Sequence, residues 1–154
     1  MKRIYFAFII ALPIVGCVNQ PSQNPQKKIK QGIKGTITWL EGNLMPGPDS
    51  NIKAKEGKPV VRQIYVYKLV NVKETESEGS FFTKVKGNLV KKSQSTEAGD
   101  FYIQLPVGEY SIFVKEEKGL YANLFDGNSN INPVVVNKNK VTEIALKIDY
   151  KAFY

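Results

Sequence analysis

An all-β fold is predicted, a two-sheet β-sandwich of seven or eight strands behind a signal peptide and a disordered tether. Three observations predict it. From Gly32 onward, apolar and polar residues alternate in short runs, which is the two-residue period of a half-buried strand. Those runs are separated by turns rich in Gly, Pro, Asn and Lys, and no segment carries a helical period of useful length. The chain of 154 residues has room for one such domain and a short targeting segment, not for two cores. Its 42% hydrophobic and 23% charged content excludes wholesale disorder and a multi-span membrane protein.

Residues 1–16 read as the signal peptide. Lys2 and Arg3 give a positive start, and an apolar run from Ile4 to Val15 follows, too short to span a bilayer, which takes about 20 residues. Residues 17–31 read as the tether: VNQPSQNPQKKIKQ after Cys17 is polar, holds two prolines and has no apolar period. A flexible chain of that length spans on the order of 20 Å. Lys27, Lys28 and Lys30 within it are candidates for attraction to anionic headgroups.

Residues 32–154 form the predicted domain. Its first strand sets Ile33, Gly35, Ile37 and Trp39 against Lys34, Thr36 and Thr38. Residues 41–58 lack any period and read as an exposed loop. Pro59 opens a second strand over 59–70, with Val60, Ile64 and Val66 alternating with Val61, Tyr65, Tyr67 and Leu69. A third covers 80–86, continued by Leu89 and Val90 after Gly87. Residues 100–105 and 109–115 read as a hairpin across Pro106-Val107-Gly108, with Phe101, Ile103 and Leu105 answered by Tyr110, Ile112 and Val114. Residues 132–137 and 140–150 read as another pair across Lys138-Asn139, with Thr142, Ile144, Leu146 and Ile148 on one face.

Two resemblances give these segments a meaning. Ile14-Val15-Gly16-Cys17 resembles the lipobox of bacterial lipoproteins, with Ile14 where the family more often has leucine. The resemblance implies a diacylglycerol on the Cys17 sulfur, cleavage after Gly16 and acylation of the new amino group. A secreted protein with a chance cysteine near its cleavage site is the competing reading. Against it, the chain's only cysteine falls where the apolar run ends, and a free thiol elsewhere in an exported protein is a liability. In composition the chain resembles Bacteroidetes-type lipoproteins, in which an acidic stretch after the cysteine accompanies surface export. None follows Cys17, so the resemblance implies a lipid anchor in the cell envelope, in the outer membrane and facing the periplasm.

The second resemblance is to carboxypeptidase regulatory-like domains, whose fold is a transthyretin-like (prealbumin-like) sandwich. Their motifs appear here in order: Gly32-Ile33-Lys34-Gly35-Thr36-Ile37, Gly57-Lys58-Pro59-Val60, Ala98-Gly99-Asp100-Phe101 and Leu105-Pro106-Val107-Gly108-Glu109-Tyr110. Residues 41–56 are longer than the family's usual first loop, and residues 71–79 are a polar insertion. The resemblance implies an accessory module without the catalytic domain it often accompanies. Tyr110 is expected to bury its ring while its hydroxyl bonds back to nearby backbone.

The chemistry is one of absences. The chain contains no histidine, so no imidazole-based triad or zinc site exists, and with one cysteine there is no intramolecular disulfide or thiolate cluster. No metal and no cofactor is expected. Asp126-Gly127-Asn128-Ser129-Asn130 starts like a calcium loop, but Ile131 stands where glycine is needed and Asn137 where a bidentate glutamate is needed, so it reads as a polar turn. Tyr65, Tyr67, Phe82, Tyr102 and Phe113 fall opposite the core positions and are candidate ligand-binding rings for stacking on a sugar or a protein. The competing reading is that the first loop, residues 71–79 or the C-terminal residues cover them.

The formal charge of +8 becomes +6 once Lys2 and Arg3 leave with the signal peptide. An exported lipoprotein seldom meets nucleic acid, so no nucleic-acid partner is expected, and the excess suits anionic lipid or an acidic glycan. The reading is of a non-enzymatic envelope lipoprotein, held on the lipid bilayer through acylated Cys17, whose sandwich binds a protein or glycan. The alternative is a purely structural envelope lipoprotein or assembly subunit.

Overall fold

A computed structural model describes residues 30–46 and 56–154. Its strands are β1 (Gly32–Asn43), β2 (Lys58–Pro59), β3 (Gln63–Lys68), β4 (Thr75–Glu78), β5 (Phe81–Val85), β6 (Leu89–Gln94), β7 (Asp100–Gln104), β8 (Gly108–Glu116), β9 (Gly119–Tyr121), β10 (Pro133–Val136) and β11 (Val141–Phe153). They form two sheets that pack as an all-β sandwich. One has four strands, with β11 against β1 and β1 in turn against β7 along its first half and β2 beyond. The other has seven, in the order β4-β5-β9-β8-β3-β6, with β10 also on β8. The count exceeds the alternation-based reading because β2, β4 and β9 are two to four residues long, too short to show a period. Among the described residues no helix is long and apolar enough to cross a membrane.

The core lies between the sheets and holds the residues that alternation assigns to it. Ile33, Ile37, Ile64, Val66, Phe101, Ile103, Leu105, Tyr110, Ile112, Val114, Leu146 and Ile148 are all buried. Tyr110 donates its hydroxyl to the Pro106 carbonyl at 2.9 Å, so its ring fills the core while its polar end stays satisfied.

Pairing departs from the sequence reading in three places. β7 pairs with β1, and β8 lies in the opposite sheet, so Pro106-Val107-Gly108 bridges the sheets and is not a hairpin turn. The same holds for β10 and β11 across Lys138-Asn139, since β10 pairs with β8 and β11 with β1. Alternation reports which face is buried, and two strands facing each other across a core have the same alternation as two strands side by side. The run 59–70 is likewise divided, β2 ending in one sheet and β3 starting in the other. Buried Ser95 holds that crossing: its hydroxyl donates to the Val60 carbonyl and accepts from the Arg62 amide, each at 2.8 Å.

Two glycines are required by close approach. At Gly35 a Cβ would lie 1.8 Å from the Ile144 carbonyl oxygen, inside the β1–β11 ladder. Gly99 has φ of +78° and would bring a Cβ to 2.6 Å from the Ile37 carbonyl oxygen, whose own amide bonds to Gly99 O at 2.9 Å.

The alternation in β7 is testable one residue at a time. Phe101→Ala removes a ring that is 1% exposed and is expected to cost about 3 to 5 kcal/mol. Tyr102→Ala removes its 42% exposed neighbour and is expected to stay within about 1 kcal/mol. Denaturant melts of the two variants check this, and equal midpoints would contradict the strand's facing.

Candidate functional site

The five rings singled out by alternation do not share one exposed face. Phe82 and Phe113 are 2% and 0% exposed, so neither can touch a ligand. They pack edge to face with centroids 5.4 Å apart, in a second small core on the outer side of the seven-stranded sheet. Val70, Ala122 and Ile131 roof that core, brought together where the Ile131 amide bonds to Val70 O at 2.9 Å and Asn71 bridges Asn130. Tyr65 and Tyr67 are half-buried on its border; Tyr67 packs edge-on to Phe113, and the Lys92 ammonium sits 4.6 Å from the Tyr65 ring centre. Tyr102 is exposed, but on β7 in the other sheet. The roof comes from Val70, just before the insertion, and from irregular residues 122–132, which carry no period to announce it. Cys17 lies outside the described residues.

The Asp126 turn is a polar turn. One carboxylate oxygen accepts from the Asn128 and Asn130 amides at 2.9 and 2.8 Å, and the other accepts from the Asn130 side chain at 2.9 Å. Those bonds hold the carboxyl below its ordinary range.

A different set of aromatic residues converges at the end of the sandwich where β1 finishes. In the β1–β11 register, Trp39 faces Ile148 and Glu41 faces Lys151, so Asp149 and Tyr150 together oppose Leu40. Tyr150 lies on the inward side it shares with Ile148, and the β-bulge lets Asp149 reach Tyr121 on the same side. The Tyr150 ring meets Trp39 edge-on at 5.1 Å, Phe81 at 4.8 Å and Tyr121 at 5.5 Å. Beside them opens a cleft of about 280 Å³ lined by Glu78, Gly79, Ser80, Phe81, Lys118 and Tyr150. The turns between β4 and β5 and between β8 and β9 form its rim.

Polar groups lock the rings in place. Buried Glu116 accepts from Arg62 Nε at 2.6 Å and from the Tyr150 hydroxyl at 2.9 Å. Asp149 accepts from the hydroxyls of Tyr121 at 2.6 Å and Tyr154 at 2.8 Å and from the Asn123 side chain at 2.8 Å. Burial pushes the Asp149 carboxyl up, but these three bonds together outweigh it and hold it below the usual range. Three cations edge the rings: Lys118 lies 5.7 Å from the Phe81 centroid, and Lys151 and Arg62 lie 5.6 and 5.9 Å from that of Trp39. Glu116 and Asp149 are therefore structural acceptors with their oxygens engaged, and the cleft offers ring surface with one ammonium, Lys118, and one carboxylate, Glu78, in its lining.

Sequence reasoning missed this cluster because it joins the two ends of the domain. Trp39, the chain's only tryptophan, and Tyr150 both fall on predicted strands, but the parallel pairing that makes them neighbours leaves no local signal. No protein-family model, no curated protein and no solved structure matches the chain.

The tyrosine hydroxyls set an alkaline limit. Burial, and then the bond it donates to Glu116, push the Tyr150 hydroxyl up to about 12, and Tyr121 is raised for the same reasons with Asp149 as acceptor. The fold favours the neutral phenols, so their contribution is whole below the ordinary tyrosine value of 10.0 and is lost as pH rises toward about 12. Denaturant midpoints are expected to hold up to pH 10 and fall above it, with tyrosinate absorbance of these two rings appearing only as the fold gives way. Ionisation of all tyrosines near 10 in a folded protein would contradict the arrangement.

Proposed function

We propose that the chain is a non-enzymatic, lipid-anchored envelope lipoprotein whose sandwich binds an acidic glycan in the cleft beside Tyr150. The observation that carries the binding role is that cleft, about 280 Å³ with Phe81 and Tyr150 as its walls, Lys118 and Glu78 in its lining and Lys151 and Arg62 beside the adjoining Trp39 ring. Ring faces suit the apolar faces of sugars, and an ammonium beside them suits a carboxylate or sulfate on the same sugar. The net positive charge of the mature chain agrees. The absence of histidine, with the Glu116 and Asp149 oxygens already engaged, supports a module that binds without catalysing. The ordered resemblance to carboxypeptidase regulatory-like motifs, themselves accessory modules, supports the same reading. The anchor rests on Lys2, Arg3, the apolar run and the lipobox resemblance at Cys17, and the lack of an acidic stretch after Cys17 supports the periplasmic face of the outer membrane.

Both halves are testable on the full chain. Cys17→Ser is expected to release the protein from the membrane fraction and abolish labelling by a fatty-acid probe; retention of an unlabelled wild type would contradict the anchor. Titration with oligogalacturonate is expected to change Trp39 fluorescence saturably, and a neutral dextran oligosaccharide is not. Lys118→Ala is expected to weaken that binding about fivefold, as for one exposed charge contact of about 1 kcal/mol. No response to the acidic sugar, or a response that Lys118→Ala leaves unchanged, would contradict the cleft.

A further inference from the structure

The tether meets only one of the domain's two ends. Gln31, the last residue before β1, holds the chain to two turns at once. Its side-chain amide donates to the Leu105 carbonyl at 2.9 Å and its oxygen accepts from the Asn139 amide at 3.0 Å. Gly32 N bonds to Lys140 O at 3.1 Å beside it. The turn after Leu105 and the turn before Val141 therefore surround the point where the polypeptide leaves the sandwich toward Cys17.

Around that point the lysines gather. Lys30, Lys138 and Lys140 are exposed on the tether and the second turn. Lys91 reaches the Gln104 carbonyl at 3.3 Å, and Lys68 sits 4.8 Å from the Tyr110 ring centre, just behind the first turn. Among the described residues none of these five ammonium groups has a carboxylate within ion-pair distance. Of the carboxylates on the flanking segments, Glu143 is taken by Lys34 at 2.9 Å, Glu74 accepts from the Asn71 amide at 2.9 Å, and Glu109 is exposed beside Gly108. Val107, 55% exposed, is the apolar tip of the first turn. A basic ring with an apolar tip fits a surface of anionic headgroups.

We infer that this end of the sandwich docks on an anionic bilayer, through Lys30, Lys68, Lys91, Lys138 and Lys140 with Val107 foremost, and so points the aromatic cleft away from the membrane. The inference rests on the proposed Cys17 anchor for its source of membrane. Lys30 is the thirteenth residue after Cys17, a reach of at most about 45 Å when fully extended. That keeps the lysine end within range of the surface to which the anchor is fixed. Trp39 lies seven residues along β1 from Gly32, roughly 23 Å at about 3.3 Å per residue, and so stands clear of the headgroups. Each lysine at the surface is expected to favour docking about fivefold, an effect that collapses when the Debye length falls to about 3 Å in 1 M salt.

The single tryptophan provides the test. The full chain, purified in detergent, is reconstituted into vesicles containing acyl-brominated phosphatidylcholine, with or without an equal share of phosphatidylglycerol. In wild type, Trp39 is expected to escape bromine quenching in both. In Trp39→Phe with Val107→Trp, checked by circular dichroism for an intact fold, the new indole is expected to be quenched with phosphatidylglycerol and released in 1 M salt. Adding Lys138→Glu and Lys140→Glu is expected to return quenching to the phosphatidylcholine level. Quenching of Trp39, or Val107→Trp emission insensitive to lipid charge and salt, would overturn the docking. A fatty-acid label on Cys17, read on the same samples, reports the anchor separately, so a labelled protein without charge-dependent quenching defeats the docking alone.

Discussion

Eleven matched residue pairs join β1 to β11 in parallel, from Gly32 against Val141 to Asn43 against Phe153, and the other parts of the molecule are placed by that pairing. Parallel neighbours cannot be linked by a tight turn, so everything between Asn43 and Val141 serves as the connection. The pairing tolerates no side chain at Gly35, where a Cβ would meet the Ile144 carbonyl. It brings the start of the domain beside the Lys138–Lys140 turn at one end and the C-terminal tyrosines beside Trp39 at the other. Closing so long a connection costs entropy that the ladder must offset, which favours slow folding.

The bulge at Asp149 and Tyr150 is where this long ladder becomes a site. A regular strand would point those two residues to opposite faces of the sheet. With one extra residue opposite Leu40, Tyr150 joins Trp39 and Phe81 while Asp149 gathers three hydrogen bonds from Tyr121, Asn123 and Tyr154. Buried Glu116 and half-buried Asp149 then act as fixed points that orient phenol rings. Charge does the complementary work outside, with Lys118 and Lys151 at the cleft end and an unpaired set of lysines at the tether end.

Much of the fold is legible in the sequence because half-buried strands have a period. Phe101, Ile103, Tyr110, Ile112, Leu146 and Ile148 all occupy the core side that alternation assigns them. Partnership is not legible in the same way, which is why Pro106-Val107-Gly108 and Lys138-Asn139 read as hairpin turns when each carries the chain across the sandwich. Alternation also has no means of showing a second core. Phe82 and Phe113 stand on the outward side of their strands, and only irregular residues around Val70 and Ile131 turn that side inward. The cleft was hidden for a related reason, since Trp39 and Tyr150 are separated by most of the domain and meet through register alone.

Amide hydrogen exchange over β1 and β11 tests the central place of their pairing most directly. Residues 32–40 and 141–148 are expected to exchange with a single free energy, equal to that of global unfolding from denaturant melts, because neither strand can open without dissolving the core between the sheets. Exchange of β11 at a much lower free energy, with β1 still protected, would show a last strand that detaches on its own and would contradict the account.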